Sequence, residues 1–265
     1  MLRKLFLTTC LLILAPLQAT ADVALLIQGY YDNGSSWHRS GVGAVMSANG
    51  WRYGGQLFSS LNGVQSTLPR VNANRTFYTT DLPTEAPLML QSDVLASYVA
   101  EVRKRHPGER VHLIGHSAGG VLARLYMVRN PDSGIHTLVT IASPHLGTEV
   151  AWLGNAIGQS PLRWLAPWMG AATINRSQAL YYDLNPEHPG NLVFWLNRQP
   201  HPKARYVSVV HTGGYWFIPN DIFVPAWSQD MNRVPALAGR SAVIPVSAEH
   251  GLQAADALVI LGMLR

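Results

Sequence analysis

Ser117 lies in Gly115-His116-Ser117-Ala118-Gly119-Gly120, between an apolar run, Val111 to Ile114, and a helical pattern that starts at Ala118. A serine on a sharp strand-to-helix turn lifts its hydroxyl above a sheet edge. Glycines at 115 and 119 remove Cβ atoms that would clash in such a turn. Gly120 lets the helix approach the sheet closely. The helix N-terminus beside the serine favours developing negative charge. Gly-x-Ser-x-Gly alone is a common pattern; strand, turn and helix in register give it weight. The chemistry implied is nucleophilic attack on a carbonyl, which needs a base and then an acid to orient it.

The acid and the histidine are expected after the serine, in that order. His250 sits in Ser247-Ala248-Glu249-His250-Gly251, a loop before the last helical pattern, and is the expected base. Of the other histidines, His116 adjoins the serine and is expected to point away. His145 follows the next strand and is placed to line the site. His188 and His201 fall among prolines and read as exposed, and His211 ends a strand near the site. The carboxylates between Ser117 and His250 are Asp132, Glu149, Asp183, Glu187, Asp221, Asp230 and Glu249. Asp221 is the choice, because it precedes the apolar Ile222-Phe223-Val224-Pro225, where a buried carboxylate can stabilise a charged imidazole. Asp230 ranks second, with a structural role in holding the acid loop. Two backbone N–H groups should form an oxyanion hole: Ala118, and Tyr30 in Gln28-Gly29-Tyr30-Tyr31. Each is worth about 3 kcal/mol to the transition state.

The elements that position these residues alternate. Val23 to Ile27, Val111 to Ile114, Thr137 to Ala142 and Tyr206 to Val210 are unbroken apolar runs, as in parallel strands covered on both faces. Helical faces recur at Leu88, Leu95, Tyr98, Val99 and Val102, beginning near Pro87. They recur again at Val121, Leu122, Leu125 and Tyr126, stopped by Asn130-Pro131, and at Leu252, Ala255, Leu258, Val259 and Met263. The expected class is α/β, with a doubly wound, mostly parallel sheet. One segment, about 146 to 203, breaks the alternation. It carries Trp152, Trp164, Trp168 and Trp195, half of the eight tryptophans. Its apolar group Trp152, Leu153, Ile157, Leu162, Trp164, Leu165, Trp168 and Met169 suits either a lid over an acyl cleft or the core of a cap.

Residues 1–21 read as an export signal: Arg3 and Lys4, then the apolar Leu5 to Leu17, then Ala19-Thr20-Ala21. One α/β domain is expected over 22–265, secreted or periplasmic. Cys10, the only cysteine, lies in the signal, so a mature chain has no thiol for catalysis, disulfides or metal. Removing Arg3 and Lys4 lowers the formal charge of +5 by two. The nearest basic run, Arg103-Lys104-Arg105, falls at a helix end and reads as a solvated terminus, not a nucleic-acid patch.

These residues resemble the bacterial lipases and esterases of the α/β-hydrolase superfamily. Gly-His-Ser-Ala-Gly-Gly looks like their nucleophile elbow. Ser143-Pro144-His145-Leu146-Gly147-Thr148 resembles the segment leading into their lid, and Asp221-Ile222-Phe223-Val224-Pro225 resembles their acid loop. Where such lipases carry His-Gly after the first strand, this chain has Gln28-Gly29. The hole can persist, since its donor is a backbone N–H, but the hydrogen bond that shapes the loop must differ. The resemblance implies a Ser-His-Asp triad of Ser117, His250 and Asp221, lipid or other acyl-ester substrates, transient lipid contact through the lid, and no cofactor. Some members bind calcium; Asp230 and Asp256 alone are too few to assign a site. A thioesterase, amidase or acyltransferase, or a non-catalytic lipid-binding protein, would share the fold.

Overall fold

The structure is a computed structural model and describes residues 21–151, 176–213, 221 and 223–264. Eight strands form one sheet: β1 (Asp22–Ile27), β2 (Arg52–Ser60), β3 (Gly63–Ser66), β4 (Arg75–Thr80), β5 (Arg110–His116), β6 (Ile135–Ile141), β7 (Arg205–His211) and β8 (Ser241–Val246). Their order is β3-β2-β4-β1-β5-β6-β7-β8, and every neighbouring pair is parallel except β2–β3. The helices are α1 (Ser36–Arg39), α2 (Val42–Ala48), α3 (Leu88–Arg105), α4 (Ala118–Arg129), α5 (Gln178–Leu184), α6 (Leu192–Leu196), α7 (Ala226–Gln229) and α8 (Ala254–Met263).

The sheet is covered on both faces. Along β1, Val23, Leu25 and Ile27 join the core under α3 and α4, while Ala24 and Leu26 join the core under α2 and α8. Alternating side chains thus all find apolar cover, which is why the run is continuous rather than alternating. The doubly wound α/β class read from the sequence is the observed one. Four of the eight strands were not anticipated. β2 contains Gly54 and Gly55, β3 and β8 are half-exposed edge strands, and β4 is polar at both ends. The third expected strand ends at Ile141 rather than Ala142, whose φ of 49° turns the chain out of the ladder.

The described parts of the 146–203 segment include α5 and α6. Trp152, Leu153, Ile157, Leu162, Trp164, Leu165, Trp168 and Met169, on which the lid reading rests, lie outside the described residues, as does the signal segment apart from Ala21. Among the described residues, no helix is long and apolar enough to cross a membrane.

Candidate active site

β1, β5, β7 and β8 all point their C-terminal ends to one side, and the loops that leave them meet there. Ser117 follows β5 directly and N-caps α4 at φ 52°, ψ −128°, a left-handed conformation that non-glycine residues rarely take. Its N–H donates to Ile141 O at 2.8 Å and its carbonyl accepts from Gly120 N–H, so the strained turn is held from both sides. His250 comes from the loop after β8. Its Nε2 stands 3.0 Å from Ser117 Oγ, and its Nδ1 2.6 Å from Asp221 Oδ2. Asp221 is buried. Its Oδ1 accepts from the N–H groups of Phe223 and Val224 at 2.8 and 3.1 Å, and its Oδ2 also faces the Gln229 amide at 3.4 Å. The three residues read from the sequence therefore form one hydrogen-bonded line.

The two expected oxyanion donors lie beside that line. Tyr30 and Ala118 line the same cavity as Ser117 and His250, and neither N–H is bonded to another described residue. The close approach of the two loops depends on glycine. A Cβ on Gly29 would sit 3.0 Å from Ser117 Cβ, and one on Gly119 only 2.4 Å from Gln28 O. Gln28, which replaces the histidine usual in similar lipases, is buried and accepts the Thr80 hydroxyl at 2.6 Å. The loop is thereby anchored to β4. The cavity holds about 420 Å³ and is walled mainly by apolar groups such as Val150, Ala151, Leu180, Leu184 and Val224. Besides Ser117, His250 and Thr148, its polar lining includes a pair of tyrosines: Tyr30 Oη and Tyr181 Oη lie 2.7 Å apart. Burial, followed by the Tyr30 hydroxyl, raises the Tyr181 phenol, which stays neutral.

The remaining histidines correct several expectations. His145 does not line the cavity; it is fully buried beneath, with Nε2 on the Thr140 hydroxyl, and burial holds its pKa well below the ordinary value. His201, expected to be exposed, is buried: its ring packs edge-on against Tyr206 and its Nδ1 donates to Gln199 O. His188 is only part-exposed. His211 is buried close by and faces Asp256 Oδ1 at 3.0 Å. Asp256 completes a capping box with Gln253 on α8, and Asp230 caps a short turn through Asn232 N–H rather than bonding the acid loop. Among the described residues, no group of three histidine, cysteine or acidic side chains could hold a metal.

The acid loop is held instead by residues the sequence did not single out. Gln229 donates to Val224 O and accepts from His211 N–H at 2.7 Å in each case. Ser228 Oγ donates to Gly147 O at 2.7 Å, and Thr148 Oγ1 donates to Phe223 O. Behind this, the buried Arg124 and Asn197 both donate to His145 O. Burial pushes the Arg124 guanidinium down to about 9. Nothing in the local pattern marks these roles, which exist only once three loops are packed.

The mature form of Bacillus licheniformis lipase BlEst2 superposes with a TM-score of 0.56 at 15% identity, over 94% of each chain. The chain has the α/β-hydrolase fold. The lin2722 gene product of Listeria innocua shares this α/β-hydrolase architecture with a TM-score of 0.56 and 15% identity, over 86% of this chain and 85% of that one. A monoacylglycerol lipase of Paleococcus ferrophilus does so at 0.51 and 12%, over 91% and 93%. A family model described as a PGAP1-like alpha/beta domain matches residues 43–156. A lysosomal thioesterase PPT2 homologue of Drosophila melanogaster is 29% identical over 109 residues, 41% of this chain but only 34% of that protein.

Proposed function

We propose that this chain is an exported serine hydrolase of carboxylic esters, acting on lipid or other acyl esters with an apolar chain. The observation that carries the reading is the line Ser117–His250–Asp221 opening onto an apolar cavity. Ser117 Oγ attacks the acyl carbonyl while His250 Nε2 takes its proton and passes it to the leaving alkoxide. Asp221 keeps His250 Nδ1 protonated and balances the imidazolium charge. The N–H groups of Ala118 and Tyr30 stabilise the tetrahedral oxyanion. A water, deprotonated by His250, then releases the acid and restores Ser117. This chemistry uses no cofactor.

Ser117→Ala should lower kcat on p-nitrophenyl esters by about 10⁶ and abolish labelling by a fluorophosphonate. Full turnover by the purified variant would overturn the reading. Val150 and Phe223 line the cavity yet stay 42% and 46% exposed, so its rim is apolar and suited to transient contact with a lipid surface. A rate jump when the ester exceeds its solubility limit is the expected sign of that contact. Export would leave Asp22 as the first residue, which N-terminal sequencing of the secreted protein reads directly.

The match to a thioesterase over 109 residues favours a second reading, hydrolysis of acyl thioesters by the same residues. Comparing kcat/KM on an oxygen ester and a thioester of one acyl chain separates the two.

A further inference from the structure

The loop that carries His250 has no ladder of its own, yet three successive carbonyls in it are held. Ala248 O accepts from Gly213 N–H at 2.9 Å. His211 Nδ1 lies 2.6 Å from Glu249 O, and His116 Nε2 lies 2.8 Å from His250 O. A carbonyl oxygen only accepts, so both imidazole nitrogens carry protons and donate. The two rings are buried and come from the ends of β5 and β7. His211 is oriented from its other side by Asp256, itself fixed to the start of α8 through Gln253 N–H.

His116 is also the residue immediately before the nucleophile. Its hydrogen bond therefore ties the main chain of His250 to the elbow across 134 positions of sequence. Burial, and then the neighbouring His250, push the His116 imidazole down to about 4. At neutral pH it is an uncharged donor, with Nδ1 unpartnered among the described residues. Its ring lies 5.3 Å from that of His250, where a fixed positive charge would oppose an imidazolium forming on the base. A neutral donor holds the loop without that penalty.

We propose that His116 and His211 are positioning residues, which by donating to consecutive carbonyls set the His250 loop so that its imidazole meets Ser117 and Asp221 together. The proposal rests on the hydrolase reading above. It predicts a crossed pattern of substitutions. A glutamine amide reaches where Nε2 of histidine does, and an asparagine amide reaches where Nδ1 does. For His116, which donates through Nε2, His116→Gln should retain most of kcat. His116→Asn should lose about 100-fold with KM unchanged, the cost of a small misplacement of a catalytic group. For His211, which donates through Nδ1 and also meets Asp256 through Nε2, the order reverses: His211→Asn should keep more of kcat than His211→Gln.

The downfield proton resonance of His250 Nδ1–H, bonded to Asp221, should persist in the retaining variants and vanish in the losing ones. A general loss of stability would not produce that pattern. Reading the same resonance in a Ser117→Ala background keeps the test independent of turnover, whereas Ser117→Ala turnover alone judges the hydrolase reading. His116, whose Nδ1 has no partner among the described residues, decides the matter by itself: equal losses for Gln and Asn there, or no loss for either, would overturn the proposal.

Discussion

The positive φ of Ser117 costs of order 1–3 kcal/mol, and such strain persists only where surrounding contacts over-determine it. Here those contacts are Ile141 O on one side and Gly120 N–H on the other. The outcome is a hydroxyl held 3.0 Å from an imidazole that is itself held 2.6 Å from a buried carboxylate. Asp221→Asn preserves the shape of this line but turns the imidazole to the wrong tautomer. It should lower kcat by about 10⁴ with little change in KM, measured on a soluble ester. Ser117, His250 and Asp221 were legible in the sequence because each is a reactive type beside a turn or an apolar stretch. Gln229, Arg124 and Tyr181 were not, since an amide, a guanidinium and a phenol gain meaning here only from partners far along the chain.

At the scale of elements, the site is a set of near contacts between loops, and two of them make distinct demands. A Cβ at Gly119 would press on Gln28 O and Ile27 O, both backbone atoms that cannot swing aside. Gly119→Ala should therefore push the Tyr30 loop away from the elbow and lower kcat by about 100-fold, the cost of losing one oxyanion donor. Steady-state kinetics beside a urea titration would separate this loss from unfolding. The second contact joins α5, beside the cavity, to α3. Asp183 accepts Leu88 N–H at 2.8 Å, yet burial outweighs that bond and raises its carboxyl from 3.8 to about 6. Between those two values the folded chain holds more protons than the unfolded one. The contribution is complete below about pH 4 and is lost as pH rises through about 6. Asp183→Asn cannot ionise, so its urea midpoint should change less than that of the parent chain between about pH 4 and 7. An equal change would show that other groups govern this window. The need for glycine at 119 was legible as part of the turn, but its partner Gln28 was not, and the Asp183–Leu88 contact was invisible, because aspartate is an ordinary helix residue until the opposing surface is known.

At the scale of the whole molecule, the central strands announced themselves and the outer ones did not. β1, β5, β6 and β7 are covered on both faces, and their residues read as unbroken apolar runs. β8 carries the loop with His250, but its own residues are half-exposed and its pattern is faint. That strand is one of the two edges of the sheet among the described residues. Val246 O accepts from Thr212 N–H, so Val246 turns its polar backbone groups inward to the sheet. A strand alternates, so residue 245 turns its own outward, and residue 245 is proline. The donor that proline lacks is the one a stray strand would have grasped. The lip of the sheet that carries the His250 loop thus offers a second chain one donor fewer, which weakens edge-to-edge pairing there.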